Sequence, residues 1–143
     1  MIVGIDPGER RVGVAVADLE TRFARPLEVI DRNQTEAAKR IAAIVAELEA
    51  ELVVVGLPTG LSGRSGPAVE SQRRFVAELT EALTVEVREF DERFTSVVAD
   101  RGLRLAGMRT KDLKSRRDAV AAQVMLQGYL DATKPRVNDG GET

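Results

Sequence analysis

The chain has 143 residues, of which 43% are hydrophobic and 31% are charged, and its formal net charge is −2. This composition is typical of one soluble globular domain, and no apolar run reaches the ~20 residues that a membrane helix needs. Histidine and cysteine are both absent, which excludes disulfides, thiolate metal sites, cysteine nucleophiles and serine triads built on histidine. Any catalysis must therefore use carboxylates, lysine or arginine, with or without a hard cation.

The first sixteen residues predict a β-hairpin with an acidic residue at its turn. Two apolar, β-branched runs at 2–5 and 12–16 flank the sequence Asp6-Pro7-Gly8. At the end of a central strand, Asp6 would present its carboxylate at one edge of a sheet. An aspartate before Pro-Gly is also a favoured first residue of a tight turn, so a purely structural role for Asp6 stays open.

Strand and helix patterns alternate through the rest of the chain. We predict a strand at 25–30, then a helix that Asn33 opens with a capping-box spacing to Glu36, a strand at 51–56 and a helix from Pro67. A strand at 84–90 follows, then residues 91–96 lead into a third helix that ends near Gly107, and a last helix spans 115–131. Three meandering strands and two reached by helical crossovers make a mixed five-stranded α/β sheet with helices on its faces. We expect one domain at 1–133 and a disordered tail at 134–143.

Acidic residues are predicted at the carboxyl ends of the strands, where open α/β sheets bind ligands. They are Asp6 after the first strand, Asp91 and Glu92 after the fifth, and Asp118 in the first turn of the last helix. Carboxylates converging without histidine or cysteine favour Mg²⁺ or Mn²⁺, and two ions about 4 Å apart suit phosphodiester hydrolysis. Ordinary roles stay open: Ser115 and Asp118 match a capping box, and Glu92 beside Arg93 suits a surface ion pair.

Basic residues accompany these acids on both sides. Arg10 and Arg11 follow Asp6, and five positive charges precede Asp118: Arg109, Lys111, Lys114, Arg116 and Arg117. Such flanking suggests a polyanionic substrate drawn to a metal site, although a solvated charged face has the same pattern. The glycine-rich loop at 56–66, with Arg64 and Ser65, could hold a phosphate at the following helix start, or could be only a surface loop.

Four motifs occur in order along nearly the whole chain: Gly4-Ile-Asp-Pro-Gly-x-x-Arg-Val-Gly-Val-Ala-Val-Ala-Asp18, Val55-Gly-Leu-Pro58, Asp91-Glu-Arg-Phe-Thr95 and Asp118-x-x-Ala-Ala122. With these motifs the chain resembles the YqgF family, also called RuvX, within the RNase H-like nucleases. The resemblance implies a sheet ordered 3-2-1-4-5 and a metal-dependent phosphodiesterase site. By motif position, Asp6, Glu92 and Asp118 would be the catalytic carboxylates that bind Mg²⁺ or Mn²⁺.

The resemblance also implies a biological setting. The family is described as nucleases that mature the 5′ end of pre-16S ribosomal RNA in the bacterial cytoplasm, and it is related to RuvC-type Holliday-junction resolvases. The loop here reads Pro58-Thr-Gly-Leu-Ser-Gly-Arg-Ser-Gly66, whereas many members carry a Leu-Asn-Met-Asp-Gly type of sequence. We predict that the substrate-binding residues are Arg10, Arg11, Arg64, Ser65, Arg93, Lys114, Arg116 and Arg117.

Three classes of function are compatible with these residues. The first is a nuclease acting on pre-rRNA or on branched DNA, as a monomer or a homodimer, without a membrane association. The second is an ATP-binding protein of the actin, Hsp70 and sugar-kinase type, whose first phosphate loop resembles residues 6–16; that class normally needs two related domains, and this chain is too short. The third is a nucleic-acid-binding module without catalysis.

Overall fold

The computed structural model describes residues 1–57, 67–91 and 110–133, and it contains five strands and three helices in those ranges. The strands are β1 (Ile2–Pro7), β2 (Arg11–Ala17), β3 (Ala24–Asp31), β4 (Leu52–Leu57) and β5 (Glu86–Asp91). The helices are α1 (Ala37–Leu48), α2 (Pro67–Ala82) and α3 (Thr110–Ala132). The third helix, predicted after residues 91–96 with its end near Gly107, and the tail predicted at 134–143 lie outside the described residues.

The five strands form one mixed sheet in the order β3-β2-β1-β4-β5. β1 pairs antiparallel with β2 and parallel with β4, and β4 pairs parallel with β5. The predicted α/β class and the strand order are therefore confirmed. Because β1, β4 and β5 run in the same direction, their last residues lie along one side of the sheet, which we call the carboxyl edge.

Helices cover both faces of the sheet because the central strands are apolar on both sides. Side chains alternate between the faces of a strand, so Val3 and Ile5 of β1 join the cluster under α1 and α2. On the opposite face, Ile2 belongs to the cluster under α3, which includes Ala122 and Leu126. The continuous apolar runs of β1 and β4 are typical of strands that are buried on both faces.

The predicted capping box at the start of α1 is wrong. The N-cap is Glu36, which has extended backbone angles and makes no capping hydrogen bond with its side chain. Asp31 is the reason, because its carboxylate accepts a hydrogen bond from the backbone N–H of Asn33 at 2.9 Å. The carbonyl of Asp31 also accepts from the N–H groups of Gln34 and Thr35. These bonds form a turn before the helix, so Asn33 belongs to that turn.

The last helix begins earlier than the sequence pattern predicts. α3 starts at Thr110 and not near Ser115, so Asp118 lies in the helix interior and not in its first turn. Residues 111–114, which precede Ser115, include Lys and Leu, which are good helix formers, and no Gly or Pro interrupts them. A capping role for Asp118 is therefore excluded, because only the first-turn amides need a side-chain partner. In the described part of the chain, no helix has the length and apolar character needed to cross a membrane.

An ion pair connects the edge strand β3 to α1 and gives stability a dependence on pH. Arg40 donates from Nε and Nη2 to the two carboxylate oxygens of Glu28, at 2.8 and 2.7 Å. These hydrogen bonds hold the pKa of the Glu28 carboxyl below its ordinary value of 4.5, although partial burial acts in the opposite direction. The stabilisation is therefore present above pH 4.5 and is lost as the pH falls through the lowered pKa.

We expect Glu28→Gln to lower the Tm at pH 7 by about 1–3 °C, because the pair is partly exposed and worth little. The Tm difference from the unmodified protein should shrink below pH 4.5, where Glu28 itself becomes protonated. Thermal unfolding followed by circular dichroism between pH 3 and pH 8 measures both. Glu81→Gln, on the exposed surface of α2, is the control. A Tm difference that is constant over this range would contradict the role of the Glu28–Arg40 pair.

Candidate active site

Asp6 lies at the carboxyl edge, on the sheet face that α3 covers. It alternates with Gly4, and a Cβ on Gly4 would meet Leu126 of α3. Across the antiparallel pair, the residue opposite Asp6 is Gly13 of β2. Directly opposite residues have Cβ positions about 5 Å apart on one face of a sheet. The Cβ of Asp6 therefore lies about 5 Å from the position that a Cβ on residue 13 would occupy.

The backbone of α3 fills that place. A Cβ built on Gly13 would lie 1.8 Å from the backbone oxygen of Asp118 and 2.4 Å from its carbonyl carbon. No side chain fits at such distances, so glycine is required for the helix to approach β2 this closely. Gly13 therefore brings Asp118 to the sheet beside Asp6. The two predicted catalytic carboxylates that the structure describes lie on one face of the sheet, at one edge.

A second glycine flanks Asp6 on the other neighbouring strand. The last recorded partners of β1 and β4 are Ile5 and Val55, so one further step in this parallel register places Gly56 beside Asp6. Gly56 is buried, and its carbonyl accepts a hydrogen bond from Gln72 of α2 at 3.3 Å. Asp6 thus stands between two glycines.

The Asp118 carboxylate forms an ion pair with an arginine of β2. Arg11 Nε lies 3.0 Å from Asp118 Oδ2, and the side chains are 64% and 34% exposed, respectively. Arg11 was predicted to bind substrate, and it lies at the site. The structure shows its guanidinium paired with one of the predicted metal-binding carboxylates, a contact that the sequence pattern did not reveal.

The turn between β1 and β2 is held in place by Arg32, which the sequence analysis missed. Arg32 donates from Nη1 to the carbonyl of Gly8 at 2.7 Å, and its backbone N–H donates to the carbonyl of Arg10 at 2.9 Å. Its guanidinium also lies over the ring of Phe75 in α2, with Cζ 4.6 Å from the ring centroid. This cation–π contact ties the turn after Asp6 to the helix on the opposite face. Arg32 carried no local motif, so only the fold shows this role.

The direction of α3 places its basic first turns at the site. Leu126 lies over Gly4, and Asp118 lies over Gly13 opposite Asp6. Followed backwards along the chain, the helix therefore runs toward the carboxyl edge. Eight residues precede Asp118 in α3, and at 1.5 Å per residue they carry the helix about 12 Å beyond it. Four of them are basic: Lys111, Lys114, Arg116 and Arg117.

The structure thus describes several of the predicted site residues and leaves others out. Asp6 and Asp118 are half-buried, and Arg10, Arg11 and Arg117 are exposed around them. Lys114 and Arg116 belong to the first turns of α3. Outside the described residues lie Glu92, Arg64, Ser65 and Arg93.

The described carboxylates fit part of a site for a hard divalent cation. Carboxylate oxygens are the ligands that Mg²⁺ and Mn²⁺ prefer, and Asp6 and Asp118 lie on one side of the sheet, with Gly13 directly opposite Asp6 on β2. Among residues 1–57, 67–91 and 110–133, no group of three or more potential metal-ligating side chains occurs. Glu92, the third predicted carboxylate, follows directly after β5 in the sequence.

Comparison with known proteins links this arrangement to a family. A family model described as RuvX, Holliday junction resolvase, matches residues 1–132. A relative from Chloroflexus aggregans is 46% identical over 134 residues, which cover 93% of this chain and 94% of the relative. That protein carries the provisional name pre-16S rRNA nuclease.

Solved structures share the fold at low sequence identity. RuvC of T. thermophilus, in complex with a Holliday junction substrate, has a TM-score of 0.54 and 19% identity, and the match covers 92% of this chain and 93% of RuvC. Fowlpox virus resolvase, in complex with substrate Holliday junction DNA, has a TM-score of 0.56 and 10% identity, with 94% of this chain and 99% of the resolvase covered. The RNase H-like fold expected from the sequence motifs is therefore confirmed.

Gly13→Ala tests the close approach of α3 to the sheet. Its new Cβ would meet backbone atoms of Asp118, which cannot move aside as a side chain can. We expect a loss of about 3 kcal/mol or more in the free energy of unfolding, at or above the upper end of the usual cost of overpacking. Urea denaturation measures this loss.

Gly4→Ala is the matched control, because it adds the same atom on the same face. Its Cβ would lie 2.8 Å from the Cβ of Leu126, a milder overlap than the 1.8 Å between a Cβ on Gly13 and the backbone oxygen of Asp118. We expect a smaller loss, of about 1–2 kcal/mol. If Gly13→Ala costs no more than Gly4→Ala, then the backbone contact with Asp118 does not set the position of α3.

Proposed function

The chain belongs to the RuvX family, and we propose from this premise that it is a metal-dependent nuclease that processes pre-16S rRNA. The observation that carries the proposal is that Gly13 pairs with Asp6 in the sheet and also contacts the backbone of Asp118, at the carboxyl edge. The relatives' names supply the RNA substrate and, with it, a place in the bacterial cytoplasm. The names describe those proteins, so the substrate of this chain is part of the proposal.

In this proposal Asp6, Glu92 and Asp118 hold Mg²⁺ or Mn²⁺. Three carboxylates of this kind suit two ions, as in other two-metal phosphodiesterases. The cation would supply positive charge that stabilises the charge developing on the phosphodiester during hydrolysis. The exclusion of a capping role for Asp118 supports this assignment, because it removes the main ordinary reason for a carboxylate at that position.

Basic residues around the carboxylates would hold the nucleic-acid backbone. Arg10 is exposed on the turn after Asp6, and the first turns of α3 carry Lys114, Arg116 and Arg117 past the carboxyl edge. Each phosphate contact is a local ion pair, so the net charge of −2 does not oppose this role. We also retain Arg64, Ser65 and Arg93 as proposed substrate-binding residues.

A four-way DNA junction is the second candidate substrate, and the description of the family as Holliday junction resolvases is the observation that favours it. The deciding experiment compares cleavage of a pre-16S rRNA leader fragment and a four-way DNA junction, with Mg²⁺, Mn²⁺ or EDTA. Faster cleavage of the leader fragment supports RNA processing, and faster cleavage of the junction supports resolution. Binding without cleavage in either metal would instead indicate a non-catalytic nucleic-acid-binding module.

Asp6→Asn should abolish metal-dependent cleavage, with a loss of at least about 10³-fold in kcat. The amide removes the negative charge that binds the cation but keeps the size of the side chain. The Tm and the affinity for nucleic acid should change little. Asp131→Asn is the control, because Asp131 is an exposed aspartate near the other end of α3. Normal cleavage by Asp6→Asn would remove Asp6 from the catalytic site.

Replacing Arg116 and Arg117 together with Ala should weaken binding and reduce the salt dependence of binding. Each lost phosphate contact lowers the slope of log K against log salt by about 1, so we expect a decrease of about 1–2 in a titration between 50 and 300 mM KCl. The double variant Arg73→Ala, Arg74→Ala has the same change in charge on α2, whose core face packs on the opposite side of the sheet. Equal slopes in the two double variants would place Arg116 and Arg117 away from the substrate.

A further inference from the structure

The ion pair at the carboxyl edge involves the carboxylate that the proposed function assigns to metal binding. We propose that Arg11 is a built-in counter-ion of Asp118, which a divalent cation displaces, so that the guanidinium is released to bind a phosphate of the substrate. The inference rests on the proposed function, since it needs a cation at Asp118. It goes beyond that function by making Arg11 a residue with two alternative partners.

The geometry allows this exchange without a movement of the backbone. The carbonyl of Arg11 accepts a hydrogen bond from the N–H of Gly8 at 2.9 Å, and Arg11 is paired with Asp31 across β2 and β3. Arg32 holds the same turn through the carbonyls of Gly8 and Arg10. The Arg11 side chain, in contrast, is 64% exposed. Only its side-chain torsions have to change when it leaves Asp118.

The strength of the pair also suits a displaceable partner. The recorded contact joins one nitrogen, Nε, to one oxygen, Oδ2, and both side chains reach solvent. Exposed pairs of this kind contribute little because water screens them. A divalent cation carries twice the charge of a guanidinium and, in the proposed site, would bind both Asp6 and Asp118. The cation and the guanidinium repel each other at short range, so simultaneous binding to Asp118 is disfavoured.

Release gives the guanidinium a second role. An arginine presents a planar set of donors that matches the oxygens of a phosphate. Before a cation binds, the Nε donor of Arg11 faces Asp118. After it binds, the same donor becomes available beside the place where the phosphodiester would lie. Arg11 would in this way make phosphate binding depend on an occupied metal site.

The first test uses the unmodified protein without nucleic acid. In an NMR titration with Mg²⁺, the Nε–H resonance of Arg11 should move to the position of a free arginine as the cation binds. Resonances of Asp118 should shift over the same concentration range. If Asp118 responds to Mg²⁺ while the Arg11 resonance stays unchanged, then Arg11 keeps its partner and the exchange is overturned.

The second test measures the Mn²⁺ affinity of variants by electron paramagnetic resonance, again without nucleic acid. We expect Arg11→Gln to bind Mn²⁺ about two- to fivefold more tightly, because the competing charge is gone and an exposed pair is worth up to about 1 kcal/mol. Arg10→Gln has the same charge change one residue away, and its exposed side chain should alter the affinity by less than about twofold because of screening. If both variants change the Mn²⁺ affinity equally, the effect of Arg11 comes from its charge alone and not from its contact with Asp118. That result would overturn the exchange.

Asp118→Asn separates failure of this inference from failure of the proposed function. Mn²⁺ binding that Asp118→Asn does not weaken would contradict the proposed metal site itself, and the exchange with it. Mn²⁺ binding that depends on Asp118 but does not tighten in Arg11→Gln would overturn the exchange alone. Binding that depends on Asp118 and tightens in Arg11→Gln supports both.

Discussion

The contact between Gly13 and the backbone of Asp118 is the constraint on which the site depends. A strand residue without a Cβ lets α3 lie against β2 so closely that any larger residue would occupy the position of a helix carbonyl. Because Gly13 is also the partner of Asp6, this one contact determines which helix residue faces the end of β1. The register of the hairpin and the position of α3 are therefore coupled at the same point.

Charge at this edge of the sheet is balanced locally. Asp6 at the end of β1 and Asp118 on α3 bring two negative charges to this edge, and like charges at short range would repel each other if nothing compensated them. Arg11 supplies one compensating charge in the structure as described. The basic residues that precede Asp118 in α3 extend the positive charge outward. An acidic centre with a basic surround suits a site that binds a cation and then a polyanion.

Much of this could be predicted from the sequence, for identifiable reasons. β-Branched runs and helical spacing predict the strands and the core faces, and the mixed five-stranded sheet expected from them was confirmed. The strand order, which the family resemblance implied, was confirmed as well. The start of α3 was misjudged because Ser115 and Asp118 imitate a capping box, whereas the residues before them continue the helix. The capping box predicted at Asn33 was wrong for a similar reason, because the backbone N–H of Asn33 donates a hydrogen bond to the carboxylate of Asp31. Local patterns compete, and the sequence does not show which one prevails.

The contacts that join distant segments were beyond local patterns. Arg32 reaches Gly8 and Phe75 from a position that has no motif, and the pairing of Arg11 with Asp118 joins residues 107 positions apart (118 − 11). The contact at Gly13 differs, because a glycine within a strand often marks the close approach of another backbone and is visible in the sequence. The candidate site could thus be located from sequence by its acids, while its internal connections required the fold.

The most direct measurement of the central claim is a crystal structure with Mn²⁺, in which anomalous scattering locates the ion independently of any assumption about ligands. The account predicts a peak at the carboxyl edge with carboxylate oxygens of both Asp6 and Asp118 about 2.0–2.3 Å away, as expected for hard divalent cations. A peak that has neither residue as a ligand, in crystals where both carboxylates are accessible, would contradict the claim that Gly13 brings these two side chains together as one metal site.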